Sequence, residues 1–190
     1  MIYSATTNIN PQSLESTMFI VLYGIQGSGK GTQGGLLSRK LSIPHLSTGE
    51  VLRAIASEPS DEGKRIKATI ESGQYLSDTE MTTILKRHLP PRVILDGYPR
   101  TIAQARLLDT IENVDSVLYI DLDKEEAMRR ALARGRADDT PDAITNRIAQ
   151  YRADADGILN YYRAQGKLVE VDGGKAIPIV FDEICAKLNI

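Results

Sequence analysis

The sequence predicts an α/β protein with a parallel sheet covered by helices on both faces. Three observations carry that prediction. Short apolar runs rich in Val, Ile and Leu recur without clean alternation, which fits strands buried on both sides. Helix start signals fall between those runs. Strand-like and helical stretches alternate along the chain, as successive strand–helix–strand units require. The 190 residues suit one domain, and 42% hydrophobic with 25% charged residues is an ordinary globular composition.

The expected strands are MFIVLY at 18–23, IPHLS at 43–47, RVILD at 92–96, SVLYIDL at 116–122 and KLVEV at 167–171. Between them, Ser47 with Glu50, Ser77 with Glu80, and Asp123 with Glu126 have the spacing of a capping box. Thr140 followed by Pro141 reads as an N-cap with proline at the first helical position. Gly73 closes the stretch SDEGKRIKATIESGQYL at 60–76 as a helix C-cap, and Lys64, Arg65 and Lys67 in it read as a solvated face.

Composition excludes several classes. A formal net charge of −2 gives no reason to expect a nucleic-acid or membrane surface. The single cysteine, Cys185, rules out an internal disulfide and a cysteine-rich metal site, and a reducing cytoplasm is the expected location. No apolar run approaches the roughly 18 residues of a spanning helix. The polar stretch at 1–17 lacks the basic start and apolar centre of a signal peptide and is expected to be a dispensable, disordered arm, with one domain over 18–190.

The stretch GIQGSGKGTQ at 24–33 carries the chemistry. Strand, glycine-rich loop, lysine and helix together hold polyphosphate. Gly24, Gly27, Gly29 and Gly31 are expected to reach positive φ and let backbone N–H groups crowd around phosphate oxygens. The following helix points its positive end at the same place, and Lys30 adds a mobile charge. Gly24-x-x-x-x-Gly29-Lys30 matches the P-loop, with Gly31 interposed before the hydroxyl of Thr32. Asp96 ends a strand, where open α/β sheets bind ligands, and can hold Mg²⁺-bound water. His45 and His88 fall outside every motif and read as structural.

With the extra glycine, this pattern resembles the adenylate kinases and their nucleoside-monophosphate kinase relatives. STGEVLR at 47–53, DGYPRTIAQ at 96–104 and RALARGRADD at 130–139, with Arg147 on the next helix, are similar to that family's acceptor, central and short-lid segments. The resemblance runs from Met18 to the C-terminus. It implies a P-loop five-stranded sheet, an acceptor-binding flap at 47–76 and a very short lid at 134–140. It also implies the reaction Mg²⁺·ATP + AMP ⇌ 2 ADP.

By the same resemblance, Gly27, Ser28, Gly29, Lys30, Gly31, Thr32, Arg130, Arg134 and Lys175 form the ATP side. Thr48 would touch the acceptor base and Arg53 its phosphate. Gln74, Tyr75, Leu76, Gly97, Tyr98, Pro99, Arg100, Gln104, Arg136 and Arg147 complete the AMP side. Lys30, Arg100, Arg134, Arg136 and Arg147 would be catalytic, and Asp96 would meet the metal through water. The chemistry is alignment plus cations around moving charge, for which arginines are suited. The lid contains no cysteine, so a zinc-bearing lid is not expected, and the partners implied are ATP, AMP and ADP bound by a monomer.

Some residues carry a plainer reading as well. Arg130 is four residues after Glu126 and fits a helix ion pair. Gln104 fits an ordinary helix face, and VDGGKA at 171–176 an ordinary strand-to-helix turn. Arg134 and Arg136 flank Gly135, where like charges repel unless an anion lies between them. The lid is shorter even than the family's short form, so its arginines are expected to ride on swinging helix ends, with some hydrolysis of ATP. Two rival functions remain: a pyrimidine (UMP or CMP) monophosphate kinase, and a non-catalytic ATP-binding sensor or assembly factor.

Overall fold

The structure is a computed structural model and describes residues 18–190. The expected arm over 1–17 lies outside the described residues. Strand β1 (Phe19–Tyr23) is apolar throughout and buried throughout. Phe19, Val21 and Tyr23 join one core cluster, while Ile20 and Leu22 join the other. A strand that buries both faces needs a neighbour on each edge and a helix layer above and below. β1 has both: it pairs in parallel with β3 (Val93–Asp96) and with β4 (Ser116–Asp121).

The edges are β2 (His45–Ser47) beside β3 and β5 (Leu168–Asp172) beside β4, which makes a five-stranded parallel sheet in the order β2-β3-β1-β4-β5. Every strand runs the same way, so all the carboxyl ends open on one rim. Because the chain visits β2 and β3 on one side of β1 and β4 and β5 on the other, a crevice opens at the end of β1.

Helices α1 (Lys30–Leu41) and α8 (Ile177–Leu188) cover one face through Leu37, Val180, Ile184 and Leu188. The other face takes α4 (Asp78–His88), α5 (Ile102–Ile111) and the long α7 (Pro141–Ala164), packed through Ile84, Leu108, Ile158 and Tyr162. Truncating a fully buried core residue such as Leu95 or Leu108 to alanine costs about 2–5 kcal/mol. Helix α6 (Lys124–Arg134) leans on α7 in a third, small cluster around Ala127, Ala131, Ile144 and Ile148. Two helices, α2 (Thr48–Ala56) and α3 (Asp61–Glu71), form the flap beyond β2.

Five helices among the described residues start with a side-chain cap. Ser60, Ser77, Thr101, Asp123 and Thr140 all accept hydrogen bonds from first-turn amides. Ser47 does not. It ends β2 with extended backbone (φ −95°, ψ 112°), and Glu50 faces the crevice instead of closing a capping box. Glu126 and Glu80 do not close their boxes either: the Glu126 carboxylate takes Arg129 and Arg130, and that of Glu80 takes Arg65. Gly73, at φ 73°, follows α3 as expected. Lys64, Arg65 and Lys67 are exposed and paired with Asp61, Glu80 and Glu71.

Candidate active site

A cleft of about 980 Å³ lies over the carboxyl rim of the sheet. Its floor is the loop between β1 and α1. Gly27 lies at φ 92°, and a Cβ there would collide with the Ala127 carbonyl oxygen, so the loop can rest on α6 only as glycine. Gly24 and Gly29 are also at positive φ, whereas Gly31 is not; it lies in the first turn of α1. What Gly31 provides is space, since the nearest atom to a Cβ there would be Asp96 Oδ2 at 3.8 Å. The open amides at the start of α1 and the loop's own N–H groups make an anion-binding end.

Lys30 Nζ donates to the carbonyls of Gly24 (2.7 Å) and Ile25 (2.8 Å). Burial pushes its pKa down to about 8, helped by Arg100 and Arg134 and opposed by Asp96. Asp96 is buried at the end of β3. Burial alone would raise its pKa, but His45, Lys30 and Arg100 more than offset this and hold the carboxyl below its ordinary range. His45 is therefore not remote: its Nε2 lies 3.7 Å from Asp96 Oδ2, and its ring lines the cleft. His88 is structural, bonding the Ile84 carbonyl.

One wall is the flap. Arg53 points into the cleft from α2 and Gln74, Tyr75 and Leu76 line it beyond α3. Tyr75 lies beneath the Arg100 guanidinium, 4.6 Å from its ring centroid, a cation–π contact. Arg100 Nε also donates to the Gly97 carbonyl at 2.8 Å. The flap is docked on α7: Gln150 Nε2 donates to Gly73 O at 2.8 Å, its Oε1 accepts from Tyr75 N–H at 3.2 Å, and Asn146 Nδ2 donates to Ser72 O at 3.0 Å.

Three expectations for the acceptor side change. Thr48 is buried and donates its hydroxyl to the Asp96 carbonyl at 3.2 Å, so it braces the rim and does not line the cleft. Tyr98 is also buried, its hydroxyl on Thr82 at 3.0 Å, although the neighbouring Gly97 and cis Pro99 do line the cleft. Gln104 lines it, but its amide is engaged: Oε1 accepts Arg100 N–H at 2.7 Å and Nε2 donates to Asp78 Oδ1 at 2.8 Å. One N–H and one lone pair are what it retains for a ligand.

The opposite wall is the lid between α6 and α7. Arg130 makes the helix pair with Glu126 (2.7 Å) and also donates to Gly173 O (2.9 Å), which ties it to the turn after β5. Lys175 borders the cleft there, with its ammonium on Glu183 at 2.8 Å. Of the two arginines that flank Gly135, only Arg134 has an acid of its own. Arg134 grips Asp139 with two bonds of 2.9 Å. Arg147 reaches Asp138 Oδ2 (2.7 Å) and the flap carbonyl of Ile70 (2.7 Å), with Asp139 Oδ1 at 3.6 Å. Arg134 and Arg147 are thus held by carboxylates in this conformation, whereas Arg136 is not. The Asp139 side chain is fully buried, while Arg134 reaches it from a partly exposed position.

Of the six arginines that line the cleft, two, Arg53 and Arg136, make no hydrogen bond or ion pair with the described residues. The pKa of Arg136 is lowered by burial and then by Arg134 and Arg53 nearby, so these cations face one another. The cleft therefore holds more positive charge than its own acids neutralise. Sequence reasoning missed His45, which meets the site only through the fold, and the role of Gln26, whose partner Asp139 only the fold supplies. Asp138 and Asp139 carried a signal, two acids directly after the paired arginines.

The fold and the glycine cradle define the class: a P-loop nucleotide-binding protein. The family model for Adenylate kinase matches residues 22–167. An adenylate kinase of Caulobacter sp. (strain K31) is 34% identical over 187 residues, covering 91% of this chain and 99% of the relative. One from Stenotrophomonas maltophilia (strain R551-3) is 38% identical over 170 residues, covering 82% and 91%. The chain belongs to the adenylate kinase family and is a kinase. No helix among the described residues is long and apolar enough to cross a membrane.

Proposed function

We propose that this chain transfers the γ-phosphoryl group of Mg²⁺·ATP to AMP and gives two ADP. The observation that carries the reading is the unneutralised charge in the cleft: Arg53 and Arg136 unpaired, beside Arg134 and the cradle of Lys30. Such a cluster favours polyanions from two directions. An oxygen of the AMP phosphate forms the new bond to the γ-phosphorus, and the bond from that phosphorus to the β–γ bridging oxygen breaks. The attacking oxygen is already ionised at neutral pH, so no general base is required.

On this reading, Gly27 through Thr32 hold the donor phosphates, with Arg130 and the turn near Lys175 at the adenine. Arg53 and Arg100 hold the acceptor phosphate, and residues 74–76 with Gln104 border its base. Arg134, Arg136 and Arg147 flank the moving group, where charge spreads over the equatorial oxygens. Asp96 fits a water-mediated contact to the nucleotide's Mg²⁺, because it is ionised and Gly31 leaves it uncovered. The metal would neutralise phosphate charge there.

A coupled assay with ATP and each monophosphate tests the proposal. AMP is expected to exceed UMP, CMP and GMP in kcat/KM. A better rate with UMP or CMP would assign a pyrimidine acceptor, and ATP binding without turnover on any acceptor would assign a sensor.

A further inference from the structure

We propose that Gln26 is a positioning residue for phosphoryl transfer: through Asp139 it fixes the guanidinium of Arg134, with Arg147 alongside, at the phosphate cradle. The proposal rests on the adenylate kinase reading above. Gln26 lies in the glycine loop and lines the cleft, and its Nε2 is engaged by the protein, donating to Asp139 Oδ1 at 2.9 Å. That oxygen also accepts from Arg134 Nη2 at 2.9 Å and faces Arg147 Nη1 at 3.6 Å. One buried carboxylate thus gathers the loop, the end of α6 and the side of α7.

Counting protons shows what this arrangement leaves available. A guanidinium has five N–H donors in a fixed plane. Arg134 commits Nε–H and one Nη2–H to Asp139, which leaves three for phosphate oxygens. Arg147 uses both Nη2 protons on Ile70 O and Asp138, so its remaining N–H groups lie along Nη1 and Nε. Asp139 sets the plane of the Arg134 fork and faces Nη1 of Arg147, whose own plane is set by Asp138 and Ile70 O, and Gln26 sets Asp139 relative to the cradle. Gln26 carries no charge, so it can order the acid without competing for the arginines. Its backbone is fixed in turn, because the next residue, Gly27, rests on Ala127 of α6. Asp139 directly precedes Thr140, the N-cap of the 24-residue α7, so the linkage joins two rigid supports.

The test compares Gln26→Ala with Gln26→Glu in the full chain. Gln26→Ala is expected to lower kcat about tenfold while KM for ATP stays within about threefold, since misplaced arginines matter most when charge moves. Gln26→Glu preserves size but replaces the donor with a carboxylate, which repels Asp139 and draws Arg134 away from phosphate. It should be slower than Gln26→Ala. A packing role predicts the reverse order, and that order, or wild-type kcat in both variants, overturns the proposal. A second measurement does not depend on turnover: a thermal-unfolding cycle of Gln26→Ala with Asp139→Asn. If Asp139→Asn does not fold, Arg134→Gln takes its place. The two changes should be non-additive, and strict additivity overturns the linkage. A wild-type chain that forms no ADP from ATP and AMP overturns the activity reading instead, and the unfolding cycle still decides whether Gln26 and Asp139 are coupled.

Discussion

Lys30 is held by backbone, through the carbonyls of Gly24 and Ile25, whereas Arg134 and Arg147 are held by the side chains of Asp139 and Asp138 and by one flap carbonyl. The floor of the cleft is therefore a product of local chain geometry. Its walls are a product of ion pairs that exist only once α6, α7 and the flap have come together. A floor built this way is stiff and costs little to reorganise when a polyphosphate arrives. Walls built from carboxylate-paired arginines can exchange partners, because each acid offers the guanidinium a resting place that a phosphate can share.

The largest expected effect separates the two. Lys30→Ala removes a charge from the floor and should cost on the order of 10²–10³ in kcat, with folding intact. Turnover within a few-fold of wild type would mean that the floor does not carry the phosphates. In the wall, Arg136→Ala should lower kcat about 10²-fold and leave ATP affinity, measured by calorimetry, nearly unchanged. An equal loss of affinity would place Arg136 in ground-state binding instead.

Much of the floor was legible in the sequence, because each of its features is local. The strand 18–23, the glycine spacing, Lys30 and the Thr140–Pro141 cap are read from neighbours a few residues apart. The misreadings are local rules overridden by tertiary partners. Gly31 was expected at positive φ, but the helix starts one residue before it. Thr48 has the right chemistry for a base edge, yet the Asp96 carbonyl takes it, and Gln104 keeps only part of its amide free because Arg100 and Asp78 take the rest. His45 and Gln26 gave no signal, since their partners lie 51 and 113 residues away and only the sheet order brings them close.

Gln104 gives a sharper test of floor against wall. Gln104→Leu leaves the Arg100 N–H without its acceptor, which costs about 1–3 kcal/mol. At roughly 2–4 °C per kcal/mol for a chain this size, Tm should fall by several degrees, and KM for AMP should rise as Arg100 loosens. An unchanged Tm with lost preference for AMP would make Gln104 a reader of the base and not a latch.

The smallest effect concerns protons. Burial, with Arg100 and Arg134 beside it, pushes Lys30 down to about 8 from an ordinary 10.5. Between those values the unfolded chain keeps a proton that the folded chain has released, so stability without nucleotide should rise with pH across that window. A polyphosphate beside Lys30 restores the proton. ATP binding at pH 8.5 should therefore take up a fraction of a proton, and affinity should weaken as pH climbs further. Calorimetry in two buffers of different ionisation enthalpy reads this directly, and no uptake would remove Lys30 from the phosphate site.

Gly73 has a consequence for how far the cleft can open. A Cβ there would meet the Ala143 carbonyl oxygen at 2.5 Å, and the backbone lies at φ 73°, so the flap touches α7 through bare main chain. Any side chain at that point becomes a doorstop. Alanine would prop the flap ajar, and a bulkier residue would prop it wider, with Arg53 and Arg100 left on opposite sides of a gap. The aperture of the enzyme is thus set by the one residue type that has no thickness to spare.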